Sequence, residues 1–192
     1  LYEQTLELRR ANLGPEHPDT LQSMNNLAGA YEASGRLAEA LPLYEQTLEL
    51  SKAKLGPEHQ DTLALMAGLA VAYESAGRLA EALPLYEQTL ELSKAKLGPE
   101  HPNTLGAMKN LAAAYRSAGS VAEALPLYEQ TLMLKKAKLG PEHPSTLRSI
   151  NNLAEAYRSA GKLAEAVPLL EQTLELMKAK LGPDHPDTLT SM

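Results

Sequence analysis

Between Gly35 and His59 the chain reads GRLAEALPLYEQTLELSKAKLGPEH, and the same 25 residues return unchanged from Gly77 to His101. The shift is 42 residues. Working outward, Gly-Pro-Glu-His stands at Gly14, Gly56, Gly98 and Gly140, and returns as Gly-Pro-Asp-His at Gly182, always at that spacing. So few differences point to recent duplication or to construction as a consensus array. Self-similarity at a fixed period is the mark of a repeat architecture.

Each period contains two helical patterns. Leu21, Met24, Leu27, Ala28 and Tyr31 follow the three-then-four spacing of one helical face, ending at Ser34-Gly35 where glycine suits a left-handed cap. After it, Leu37, Ala40, Leu41, Tyr44, Leu48 and Ala53 mark the buried side of a longer helix that stops at Leu55-Gly56-Pro57. His17-Pro18-Asp19-Thr20 restarts the chain. Pro18 fits a first helical turn, and Asp19 or Thr20 is expected to supply charge or a cap there. Gln60 replaces the proline in the second unit, so proline assists the start without being required. A single helix pair cannot bury its apolar face, whereas stacked pairs share a core. A solenoid follows.

The series Leu27, Ala28, Tyr31, Gly35, Ala40 and Tyr44 resembles the tetratricopeptide repeat (TPR) signature. The 42-residue period and the HPDTL and NNLAxAY phrases are similar, more narrowly, to the kinesin-light-chain type of that repeat. The resemblance implies an all-α, right-handed superhelical solenoid of antiparallel helix pairs, whose concave side is lined by the first helices and binds peptides. The expected organisation is a partial second helix over 1–13, complete pairs over 19–55, 61–97, 103–139 and 145–181, and the start of a further first helix over 186–192. Because the repeat is cut at both ends, end-to-end contact between copies, as a filament or ring, is the alternative reading. Pro42, Pro84, Pro126 and Pro168 recur inside the second helices. Proline costs about 3 kcal/mol in a helix interior, so a bend or a widened first turn is expected there.

Composition narrows the function. The chain has 192 residues, no Cys, and 24 acids against 18 bases for a net charge of −6. Thiol chemistry, disulfides and Cys-based metal sites are excluded, and generic attraction to nucleic acid or anionic lipid is not expected. No apolar run reaches the roughly 20 residues of a membrane span, and no export leader is present, so a cytoplasmic location is expected. The eight Tyr are the only aromatic residues, which leaves Leu, Ala and Tyr to build the core.

The five His occupy one loop position, His17, His59, His101, His143 and His185. Helix packing sets successive units roughly 10 Å apart, too far for neighbouring imidazoles to share an ion, so a role in shaping the helix start is expected instead of a metal site. Glu39, Glu45 and Glu49 fall on the outer face of the second helix, where a solvated stripe is expected. No phosphate loop and no nucleophile–base set is present. The reading is of a non-enzymatic scaffold without a cofactor.

Second helices are nearly copied, while the first helices change chemistry on the side opposite their buried face. The groove candidates are Gln22, Asn25, Asn26 and Glu32 in the first pair, and Gly68 and Val71 in the second. Lys109, Asn110 and Arg116 follow in the third pair, then Arg148, Asn151, Asn152, Glu155 and Arg158 in the fourth. Asn26, Asn110 and Asn152 each offer an acceptor and two donors to an extended peptide backbone. Glu32 and Glu74 mark the early half and Lys109, Arg116, Arg148 and Arg158 the late half, so the expected partner is a protein segment with acidic residues over the third and fourth repeats.

Overall fold

In a computed structural model of the chain, residues 1–190 are described, and they form α-helices and no strand. By its contacts the chain divides into two compact units, the first Leu1–Gly98 and the second starting at Pro99. Unit 1 holds α1 (Tyr2–Leu13), α2 (Pro18–Ala33), α3 (Leu37–Leu55), α4 (Gln60–Ser75) and α5 (Leu79–Leu97). Unit 2 holds α6 (Pro102–Ser117), α7 (Val121–Leu139), α8 (Pro144–Ser159), α9 (Leu163–Leu181) and α10 (Pro186–Thr190). Within each unit, consecutive helices pack in sequence order. Of the expected stub over 186–192, residues 191 and 192 lie outside the described residues.

The turn inside each pair follows from its glycine. Gly35 takes φ +76°, a left-handed conformation that costs a Cβ-free residue nothing. Its N–H donates to Glu32 O at 2.9 Å and the Arg36 N–H to Tyr31 O at 2.8 Å, the two bonds that close a helix end and reverse the chain. Entry into the first helices has the expected acidic residue in the first turn, Asp19 in α2 and Asp61 in α4. Neither Asp19 nor Thr20 is the cap. His17 Nδ1 accepts from the Asp19 N–H at 3.2 Å, and His59, His101 and His143 do the same for Asp61, Asn103 and Ser145. An imidazole nitrogen thus satisfies an orphan donor of the first turn, the task usually given to Ser, Thr or Asp.

The prolines are accommodated without the expected widened turn. α3, α5, α7 and α9 run as α-helix throughout, past Pro42, Pro84, Pro126 and Pro168. Each proline is exposed, as is the alanine four residues before it. Water can therefore take the carbonyl that loses its partner, removing the burial part of the penalty.

In unit 1, Leu6, Leu21, Met24 and Leu27 form a buried cluster joined by Tyr31, Leu43 and Leu50. In unit 2, Leu125, Tyr128, Leu132, Leu147, Ile150, Leu153 and Met177 pack with Ala112, Ala124 and Ala156. Small residues let helices approach while the long ones interdigitate, so local apolar spacing becomes shared core.

A wholly buried threonine sits near the start of each first helix, Thr20 and Thr62 in unit 1 and Thr104 and Thr146 in unit 2. Thr62 Oγ1 pairs with Ser51 Oγ at 2.8 Å. One period earlier Arg9 stands where Ser51 would be and turns to Asp19 O and Ser23 Oγ, leaving Thr20 Oγ1 buried without a hydrogen-bond partner. An orphaned hydroxyl costs what a paired one returns. Thr62→Val is therefore expected to lower stability by about 1–3 kcal/mol, because it strands Ser51, whereas Thr20→Val should be neutral or stabilising. Urea unfolding of the two variants checks the opposite signs.

Candidate functional site

The open face of the first helices is built differently in the two units. In unit 1, Gln22 donates from Nε2 to Asn26 Oδ1 at 2.9 Å along α2, so these exposed amides are tied to each other. Asn25 is half-buried and Val71 exposed. Glu32 is not a loose groove charge. It accepts from the Tyr44 hydroxyl at 3.2 Å and from Ser75 Oγ of α4 at 3.4 Å. Gly68 has a packing reason: a Cβ there would stand 3.2 Å from the Tyr44 ring, and one at Gly29 3.3 Å from its hydroxyl. Tyr44 of α3 is thus wedged between α2 and α4, and the two glycines make room for it.

A second set of tyrosines clamps neighbouring pairs. The Tyr31, Tyr73 and Tyr157 hydroxyls donate to Glu3, Glu45 and Glu129 of the preceding second helix at 2.7, 2.6 and 2.8 Å. Arg36 and Arg78 lie over the Tyr31 and Tyr73 rings, 4.2 and 4.5 Å from the centroids. Glu45 lies on the exposed stripe as expected, and its carboxylate also anchors the next pair through Tyr73. Glu39 and Glu49 instead meet Arg36 and Lys52 at the surface.

Unit 2 gathers several candidates around one opening. A cavity of about 630 Å³ lies among α6, α7 and α8, lined by Lys109, Arg148, Asn151 and Asn152 from the predicted set. Asn151 brings its carboxamide against Met177, Nδ2 to Sδ 4.0 Å. Arg116, Asn110, Glu155 and Arg158 are not among the lining residues. Glu155 and Arg158 pair with each other at 2.7 Å.

Three further residues of this cavity escaped the sequence reading: Lys135 and Lys138 of α7, and Ser149 of α8. Lys135 Nζ donates to Ser149 Oγ at 2.9 Å, and Lys138 Nζ to the Glu100 carbonyl at 2.9 Å. Burial, followed by the charges of Lys109 and Arg148, holds the Lys135 ammonium below the usual lysine range. The signal was present. The position occupied by Arg9, Ser51, Ser93, Lys135 and Met177 varies within an otherwise copied helix.

Among the described residues no group of three or more His, Asp or Glu is placed to hold a metal ion, and no helix is long and apolar enough to cross a membrane. What the open face of unit 2 presents is amides, cations and an open cavity between helices.

Helix pairs of fixed length, with a conserved seam and a varied outer row, define the class of helical-repeat scaffolds. The tetratricopeptide repeat model matches residues 1–53, 27–95, 61–137, 104–179 and 150–192, and the chain belongs to that family. Repeats of this family serve in general as protein-interaction scaffolds. Protein KINESIN LIGHT CHAIN-RELATED 2 of Arabidopsis thaliana is 44% identical over 43 residues, covering 22% of this chain and 6% of that protein. Among solved structures, a kinesin-light-chain-type protein of Podosopora anserina with nearly identical TPR-like repeats superposes with a TM-score of 0.81 at 39% identity, over 91% of this chain and 83% of that one. BtubC (BKLC) from P. vanneervenii shares the fold at 23% identity, with a TM-score of 0.82 over 96% of this chain and 73% of that one.

The tyrosine ties set the alkaline limit of the fold. Burial first, then the Glu32 charge and hydrogen bond, push the Tyr44 phenol up to about 12. Burial and Glu45 push Tyr73 to about 12 as well, and Tyr86 is raised by burial and Glu74. The unfolded phenol titrates near 10, so between about pH 10 and 12 the folded chain holds protons that the unfolded chain has released. Stability present below pH 10 is therefore expected to fall as pH rises through this range. Glu32→Gln should bring the Tyr44 phenol down, read as an earlier phenolate step in ultraviolet difference titration.

Proposed function

We propose that the chain is a non-enzymatic protein-binding scaffold of the cytoplasm, which holds an extended partner segment along the open faces of its first helices. Recognition combines amide capture of the backbone by residues such as Asn110 and Asn152 with charge selection by Lys109, Arg116, Arg148 and Arg158. The observation that carries this reading is where the repeats differ. α3 and α5 are identical over Leu37–Leu55 and Leu79–Leu97, whereas the open faces of α2, α4, α6 and α8 change from neutral and acidic to strongly basic. α3 and α5 are copied on their buried and exposed faces alike, whereas the open faces of the first helices diversify, as a recognition surface requires. The late cations favour an acidic segment over the third and fourth repeats.

Self-stacking is a second reading with its own observation. Leu163 and Val167 of α9 are 57% and 48% exposed, whereas Leu41 and Leu125, the counterparts of Val167, are buried. A second copy of the chain is an occupant of matching chemistry. Sedimentation over a concentration series separates the two readings, since a receptor stays monomeric and a self-stacker grows.

For the groove itself, a peptide-array screen of the whole chain against an Asn110→Ala/Asn152→Ala variant should show hits that the variant loses. With an acidic hit, Arg116→Glu/Arg158→Glu is expected to weaken binding by roughly ten-fold or more, a change of about 1.4 kcal/mol. Unchanged affinity in both variants removes the groove reading.

A further inference from the structure

The internal repeat supplies a control for the unit 2 cavity. The corresponding place in unit 1 is lined by Pro18, Leu21, Gln22, Asn25, Ser51, Leu55, Asp61, Ala64 and Leu65, and encloses only about 40 Å³. Moving on by two periods, six of those positions change, and every change has the same sense. Asn25, Ser51 and Ala64 become the cations Lys109, Lys135 and Arg148, while the acid Asp61 becomes Ser145. Gln22 shrinks to Gly106 and Leu65 to Ser149, and the space opens to about 630 Å³. With Lys138, four cationic side chains face one carboxylate, that of Glu100.

This is not the general character of the surface, because the chain carries a net charge of −6. The cluster also carries internal repulsion. Lys135 is partly withdrawn from water and its charge is opposed by those of Lys109 and Arg148, an arrangement that an anion in the cavity would relieve.

We infer that this cavity is a phosphoryl-binding site, taking the phosphorylated side chain of a partner segment, with Lys109, Lys135 and Arg148 as its charge partners and the Ser149 hydroxyl as a further donor. The inference rests on the scaffold reading for its partner, but not for its chemistry. A carboxylate brings one charge and two oxygens. A phosphoryl group brings nearly two charges and three acceptor oxygens, which matches three cations from three helices, and an arginine can grip it through two parallel bonds.

The test uses the whole chain and inorganic phosphate, titrated calorimetrically at constant ionic strength, with acetate as the carboxylate probe. Saturable phosphate binding is expected, with acetate weaker by roughly ten-fold or more. Lys135→Ser and Arg148→Ala install the residues that positions 51 and 64 already carry in the same fold. Each should weaken phosphate by about five-fold or more while helix content and the thermal midpoint stay put. Lys52→Glu, in unit 1 and outside the cavity, should leave phosphate binding in place. Absence of saturation, equal affinity for acetate, or indifference to both cavity variants overturns the proposal. If phosphate fails while unphosphorylated acidic peptides bind, this site falls and the scaffold reading stands. If phosphate binds as expected while the peptide screen is blank, the groove reading falls and the anion site survives.

Discussion

A helix pair of this composition has more apolar surface than it can cover by itself, and each neighbouring pair must supply the missing half of the core. Tyr44 shows how that constraint is met in unit 1. Its ring comes from a second helix and fills the space between two successive first helices, against Gly29 and Gly68, while its hydroxyl reaches Glu32. Glu32 in turn receives Ser75 from the following pair. One aromatic residue thus links three helices through packing and hydrogen bonding. Tyr73, donating to Glu45, fastens the same two pairs from the other end. With no Phe or Trp in the chain, tyrosine supplies both the bulk and the polar handle.

That division of labour frees the opposite side of the first helices. Apart from Glu32 and Gly68, which serve the Tyr44 contact, the exposed side chains there can change chemistry without loosening the seam. Unit 2 uses this freedom most: small residues at 106 and 149 open a space, and basic residues from α6, α7 and α8 surround it. Lys135 shows that the second helices also contribute to the open side, through a position that lies between two first helices.

Helix pairs, turn glycines and most of the buried face were legible from spacing alone, since Leu21, Met24 and Leu27 or Ala40, Tyr44 and Leu48 repeat with one period and are buried as that period demands. Ala53, assigned to the same side, is instead exposed and Leu37 half-buried. The role of His at the loop was legible only in outline. Its ring is not among the common caps, and that Nδ1 meets the N–H two residues on is a matter of loop geometry. Gly68 looked like a gap in a row of asparagines, because the ring that fills it comes from Tyr44, 24 positions earlier. Glu45 is exposed as its spacing suggests, but its bond to Tyr73 was hidden because the two stand 28 residues apart. Contacts between periods are invisible to a reading made one helix at a time.

The identity of α3 and α5 has a kinetic side. A first helix leaving the unfolded state meets two indistinguishable docking partners one period apart, so pairing with the wrong one buries nearly the same surface. Only the side chains that differ between repeats tell the correct neighbour from its duplicate. Arg9 reaching Ser23, Ser51 reaching Thr62 and Lys135 reaching Ser149 are three unlike handshakes at one repeated position. They mark α1 and α7 as addresses apart from α3, while Ser93 repeats Ser51 and leaves α5 with the same label.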